Sequence, residues 1–160
     1  MQDFDFKKFE ELAKKEKIEE IVKDLDWRTF EKIVANIFEK NGFKTKTNFI
    51  LKTSKRFEID VLAVSDLYVF CVDCKEWGKG RQKTSALKNA AMKQEERMKE
   101  LKKFLKRNSI ASKLMKIGSS QEFFSLIVTW HEENLIKEDE TFIVPLWKLN
   151  AFIGNFENYR

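Results

Sequence analysis

"FEIDVLAVSDLYVFCVDCKEW", residues 57–77, decides how the chain is read. Two apolar runs flank the short turn text "SDLY", which predicts an antiparallel hairpin with strands over 56–64 and 68–77. If Ser65 pairs with Tyr68, Asp60 falls opposite Asp73 and Glu58 falls opposite Lys75. A loop one residue longer would shift this register by one. Two carboxylates directly opposite on a sheet repel each other. A hard divalent cation held by oxygen ligands relieves that repulsion. A lysine two residues on can orient water or hold charge on a phosphoryl group. A plain wet sheet face is the alternative. Against it, strand alternation puts Leu62 and Val64 on Asp60's face, together with Glu58, and Val69 and Cys71 on Asp73's face, together with Lys75.

Working outward, "DWRTFEKIVANIFEKNGF" (26–43) predicts an amphipathic helix. Asp26 is its candidate N-cap, Phe30, Ile33, Val34, Ile37 and Phe38 form its apolar stripe, and Gly42 stops it. An additional helix is expected over 3–25 and a strand over 43–51. After the hairpin, a long helix over 85–105 carries Leu87, Ala90, Gln94, Met98, Leu101 and Leu105 along one side. A short helical piece follows at 110–116, ending at Gly118. "FFSLIVTW" (123–130) reads as a buried strand, 131–140 as an acidic connection, and "TFIV" as a last strand before a helix opened by Pro145. The order α-α-β-β-β-α-β-β-α, with a crossover helix between the third and fourth strands, predicts a mixed sheet with helices on its faces.

The 160 residues suit one domain with one core. The expected division is an N-terminal helical extension over 1–25, a core over 27–130, and a closing strand and helix over 141–160. No apolar run is long enough to span a bilayer and the N-terminus has no signal-peptide stretch, so a soluble, cytoplasmic protein without membrane partners is expected. Cys71 and Cys74 spell C-x-x-C, but residues three apart on a strand face opposite ways, so they read as structural thiols. His131 is the one histidine, which excludes His-pair chemistry and argues against a Ser–His triad. The net charge is +5, yet residues 74–116 hold fourteen Lys/Arg against four Asp/Glu, a local +10. A phosphate-rich partner and a simply solvated Lys-rich helix both account for that excess.

Asp60, a gap of twelve residues and then "DCK" (73–75), preceded by the F-E-x-x-V helix ending in Gly-Phe, resembles the PD-(D/E)XK nuclease signature. The helix resembles the first helix of Mrr-like restriction endonucleases and archaeal Holliday junction resolvases. The motifs cover residues 27–77, and the order of elements carries the likeness to 156. The chain departs from the pattern in three ways: "EID" lacks a Pro or Gly before Asp60, no Gly-rich stretch precedes it, and Asp73 stands where many relatives have Glu or Gln.

The resemblance implies an α/β, restriction-endonuclease-like α-β-β-β-α-β core with a mixed central sheet flanked by helices and an extra N-terminal helix. It also implies Mg2+-dependent phosphodiester hydrolysis, with Mn2+ as substitute, on nucleic acid, most naturally DNA, in repair, recombination or defence. An endonuclease is favoured over an exonuclease, and a homodimer is a candidate assembly, since junction resolvases work as dimers. Asp60 and Asp73 would hold the metal, with the Cys74 carbonyl as a further ligand. Glu31 would bind a second ion or a water, and Lys75 would position the attacking water. Glu58 and Gln94 are auxiliary candidates, although a buried helix glutamine bonded to backbone explains Gln94 equally well. Lys79, Arg81 and Lys83 are candidates for phosphate contacts, and Trp77 for base stacking or plain packing. The competing readings are a catalytically silent nucleic-acid-binding domain of the same fold and a protein-interaction module.

Overall fold

The computed structural model describes residues 27–75, 83–130 and 137–160. The expected helix over 3–25, Lys79, Arg81, Trp77 and His131 lie outside these residues, as does the side chain of Lys83. The described elements are α1 (Trp27–Lys40), β1 (Lys44–Lys52), β2 (Arg56–Val64), β3 (Tyr68–Lys75), α2 (Lys83–Arg107), α3 (Ser109–Met115), β4 (Glu122–Thr129), β5 (Lys137–Glu138), β6 (Thr141–Pro145) and α4 (Leu146–Gly154), closed by a 3-10 turn at Phe156–Asn158.

The six strands form one mixed sheet in the order β1-β2-β3-β4-β6-β5. β1, β2 and β3 run as an antiparallel meander, β3, β4 and β6 are parallel, and β5 returns antiparallel to β6. The α2–α3 crossover between β3 and β4 makes that parallel pairing possible. Helices cover both faces, as the α/β restriction-endonuclease-like reading requires.

On one face α1 and α4 pack Phe30, Val34, Ile37, Phe38, Leu149 and Phe152 against Val61, Ala63, Phe70, Val72, Leu126 and Val128. Phe70 sits at the centre of its aromatic cluster, 4.9 Å from Phe156 and 5.4 Å from Phe38 between ring centroids. On the other face α2 lays Met98, Leu101 and Leu105 over Leu62, Val64, Val69 and Cys71, and Leu87 and Ala90 over Ile127 and Ile143. Each fully buried side chain of this size contributes about 1.5–3 kcal/mol. Cys71 and Cys74 fall into opposite cores, as strand alternation predicts, and both thiols are free. Burial pushes the Cys71 thiol up to about 12.

Element ends differ from the sequence expectation in three places. α1 closes with Gly42 at φ +88°, as read, but α3 ends one residue after Met115, where Lys116 takes the left-handed conformation (φ 55°), instead of running to Gly118. The acidic connection contains a two-residue strand, β5, because the edge of β6 is open to pairing there. Pro145 ends β6 and caps α4 rather than lying inside its first turn.

Candidate active site

The β2–β3 register follows the expectation wherever the strands pair: Val64↔Val69, Ala63↔Phe70, Leu62↔Cys71 and Val61↔Val72. The ladder stops there, one step short of Asp60 and Asp73. Asp60 occupies the opening, and its Oδ2 accepts the Cys74 backbone N–H at 2.9 Å. The carboxylate thus replaces a ladder partner and has its orientation fixed by the neighbouring strand.

The alternation of β2 also breaks at this level. Ile59 lies in the same core as Leu62 and Val64, whereas Val61 lies in the opposite one. Asn48, opposite Asp60 in the β1 numbering but absent from the ladder, has φ +52°. A left-handed residue inside a strand is uncommon, and Asn tolerates it best after Gly. Both strands of the β1–β2 hairpin therefore change step together. This corrects the assignment of Glu58 to the face of Leu62 and Val64: beyond the break Glu58 turns toward α1, and the Glu58↔Lys75 ladder pair does not form. With its amide nitrogen turned inward, Asn48 donates to Glu58 Oε1 and Glu31 Oε2, both at 3.1 Å.

The break brings together groups from opposite faces of the sheet. Glu31, on α1, is 1% exposed, and Asp73, on β3, is 5% exposed. Glu31, Asp60 and Asp73 form a row in which each carboxyl is within hydrogen-bonding reach of the next. Burial, then the charge of Asp60, pushes the Glu31 carboxyl up to about 8, against the Asn48 amide. Burial, then the charge of Asp73, pushes Asp60 up to about 7, against the Cys74 N–H and Arg97. Lys75 Nζ lies 3.2 Å from Asp73 Oδ2. Glu31 Oε1 is buried without a hydrogen-bond partner, and Asp73 Oδ2 is buried with the Lys75 ammonium as its one close contact.

A buried unsatisfied carboxylate oxygen is costly, and protons or a cation must compensate it. An all-oxygen donor set with such an atom at Glu31 suits a hard divalent ion such as Mg2+. Among the described residues no three His, Cys, Asp or Glu side chains are grouped so that they could hold a metal ion as they stand.

α2 supplies the other wall. Gln94, 1% exposed, donates from Nε2 to the Cys71 carbonyl at 2.6 Å and more weakly to the Leu126 carbonyl at 3.4 Å. Its Oε1 accepts from Arg97 Nη1 at 3.1 Å, and the same nitrogen lies 4.0 Å from Asp73 Oδ1. Gln94 thus ties backbone across β3 and β4 and steers Arg97 toward the carboxylate row. Neither Arg97 nor Asn48 was singled out in the sequence. Arg97 is one cation among fourteen in its region, and only its i+3 spacing from Gln94 could have marked it. For Asn48 the signal was an Asn interrupting an otherwise strand-like run.

A family model described as "Restriction endonuclease", the Mrr catalytic domain, matches residues 22–109, which include Glu31, Asp60, Asp73 and Lys75. The chain belongs to this restriction endonuclease family. Within the described residues, the restriction endonuclease match spans α1 through α2 and thus every side chain of the row. The chain is also 30% identical over 134 residues to an Archaeoglobus fulgidus protein named only as uncharacterized, covering 83% of this chain and 93% of that one. A crystal structure of a protein of unknown function is similar over 77% of this chain and 59% of its own, at 18% identity and a TM-score of 0.45. Among the described residues no helix is long and apolar enough to cross a membrane.

Proposed function

We propose that the protein is a divalent-metal-dependent DNA endonuclease whose site is Glu31, Asp60, Asp73 and Lys75. The observation that carries this reading is the row of three carboxyls, buried Glu31 and Asp73 with half-buried Asp60 between them, at the point where the β2–β3 ladder opens, with Lys75 against Asp73. Membership of a restriction endonuclease family supports the reaction class and a nucleic-acid substrate.

Asp60 and Asp73 would hold Mg2+, or Mn2+ in its place, with the Cys74 carbonyl as a further ligand and Glu31 toward a second ion or a water. The ion, when bound, lowers the energy of negative charge developing on the phosphoryl group and of ionising the attacking water. Lys75 positions that water and holds part of the developing charge. The Cys74 N–H keeps Asp60 oriented. Asn48 keeps Glu31 and Glu58 apart while hydrogen-bonding both. Gln94 and Arg97 position Asp73 from the α2 side. No side chain in the set calls for a covalent intermediate. Lys79, Arg81 and Lys83 remain proposed phosphate contacts, and repair, recombination or host defence is the proposed setting.

The test is cleavage of a labelled panel of single strands, duplex, flap and four-way junction, in DNA and RNA, with Mg2+, Mn2+ or chelator. Asp60→Ala and Lys75→Ala proteins run alongside. Metal-dependent cutting abolished by both substitutions is expected. Salt-sensitive binding without cutting would replace this reading with a silent nucleic-acid-binding domain of the same fold, and no binding at all with an interaction module.

A further inference from the structure

Beyond the break at Asn48 and Asp60, the β1–β2 hairpin continues as an arm over residues 48–60 that no longer pairs with β3. One side of the arm is apolar and held down. Phe49, Leu51, Phe57 and Ile59 pack on the α2 face, where Phe49 meets Phe104 edge-on at 6.3 Å. The other side turns toward α1 and carries Ile50↔Glu58 and Lys52↔Arg56 as cross-strand pairs. All four of these residues are exposed, Ile50 by 42%. Lys55, at the tip, leans the other way, to Glu96 at 3.9 Å. The arm is thus anchored on one side and open on the other, and its open side is continuous with the carboxylate row through Glu58 and Asp60.

We infer that this open side is a nucleic-acid-binding surface on which Lys52 and Arg56 grip the sugar-phosphate backbone of the strand whose cleavage is proposed above. The inference rests on that nuclease reading. Like charges directly opposite on a strand pair are destabilising. Lys52↔Arg56 is such a pair, and a phosphate against each cation converts the repulsion into a two-point contact. Arg56 precedes Asp60 by four residues of strand, about 13 Å at strand rise, so the grip falls on phosphates a few nucleotides from the reacting one. Glu58 is the one carboxylate on this side, and its Oε1 is engaged by the Asn48 amide at the site end. These contacts carry no base readout, so the arm adds affinity and register without sequence preference.

The experiment compares two double variants with the same change of charge. Lys52→Gln/Arg56→Gln strips the arm. Lys44→Gln/Lys116→Gln strips two lysines that line a cavity of about 500 Å³ at the opposite end of the sheet, beside Ser65 and Leu67. Duplex DNA binding is measured in Ca2+ across a salt series, with circular dichroism to verify folding. The arm variant is expected to lose at least tenfold in affinity, and its slope of log affinity against log salt to shrink by about 1.8, or about 0.9 for each of the two phosphates no longer neutralised. The far-end variant is expected to stay within about twofold of the unsubstituted protein. Equal loss in both variants, or none in the arm variant, overturns the arm while leaving metal-dependent cleavage by the unsubstituted protein standing. No DNA binding by the unsubstituted protein overturns both.

Discussion

The two ends of the β2–β3 hairpin are built on opposite principles. At the turn end, Ser65 N–H bonds the Tyr68 carbonyl at 2.8 Å, and Ser65 Oγ accepts from Tyr68 N at 3.0 Å. Val61, Ala63, Val64, Val69, Phe70 and Val72 fill both cores there. At the other end the ladder stops, Asn48 adopts a left-handed conformation, Glu31 Oε1 is buried without a partner, and Asp73 is buried against Lys75. One end satisfies its polar groups within the chain and holds the fold. The other leaves polar groups to be satisfied by something from outside. Unusual backbone conformations and crowded buried carboxyls are features that cluster at functional sites.

If that contrast is right, substitutions at the two ends fail in different ways. The largest effect is expected from Asp73→Asn. Cleavage should fall about 10²–10³-fold, a loss typical of removing one electrostatic group from an active site. The metal-free protein should melt no lower than the unsubstituted one, because one charge has left a repelling row. A parallel drop in melting temperature would mean that Asp73 is structural. Phe70→Ala should do the reverse and cost about 3–5 kcal/mol in denaturant unfolding, with the cleavage rate per folded molecule unchanged.

Asn48→Ala is next in size. It removes the amide shared by Glu31 and Glu58 and puts a less tolerant residue at φ +52°. Metal affinity read by calorimetry should weaken about 10–100-fold, as for other partners that orient ligands, and unchanged affinity would remove Asn48 from the site.

The smallest effect concerns pH. Glu31 and Asp60 keep protons when folded that they release near pH 4 when unfolded, since their folded values are raised to about 8 and about 7. The folded chain then binds more protons than the unfolded one between those values, so this contribution to stability is complete below about pH 4 and is lost progressively as pH rises from there through 7 and 8. The metal-free melting temperature should fall across that window, and Mg2+ should stabilise more at its upper end. A flat profile would show that the row is open to water.

Much of this was legible in the sequence because it depends on local periodicity. The stripe on α1, the Gln94-bearing stripe on α2 and the summed register set by Ser65 and Tyr68 follow from spacing alone. So does the placement of Cys71 and Cys74 in opposite cores. What could not be read is where the period fails. The change of step at Asn48 and Asp60 reverses the faces of every residue from 49 to 59, and it sent Glu58 to the side of α1. Its one signal, an Asn in a strand, is weak. Arg97 reaches Asp73 only through the tertiary packing of α2, which no local pattern specifies. The arm face of Lys52 and Arg56 likewise became visible only once the break was known.

The most direct test of the central claim is titration of Mn2+ into the metal-free protein near pH 7 by calorimetry, in two buffers with different ionisation enthalpies. Binding is predicted to release protons from Glu31 and Asp60, with both binding and release lost in Asp73→Asn. Absence of binding, or binding that releases no proton and survives Asp73→Asn, would contradict the assignment of the row as a metal site.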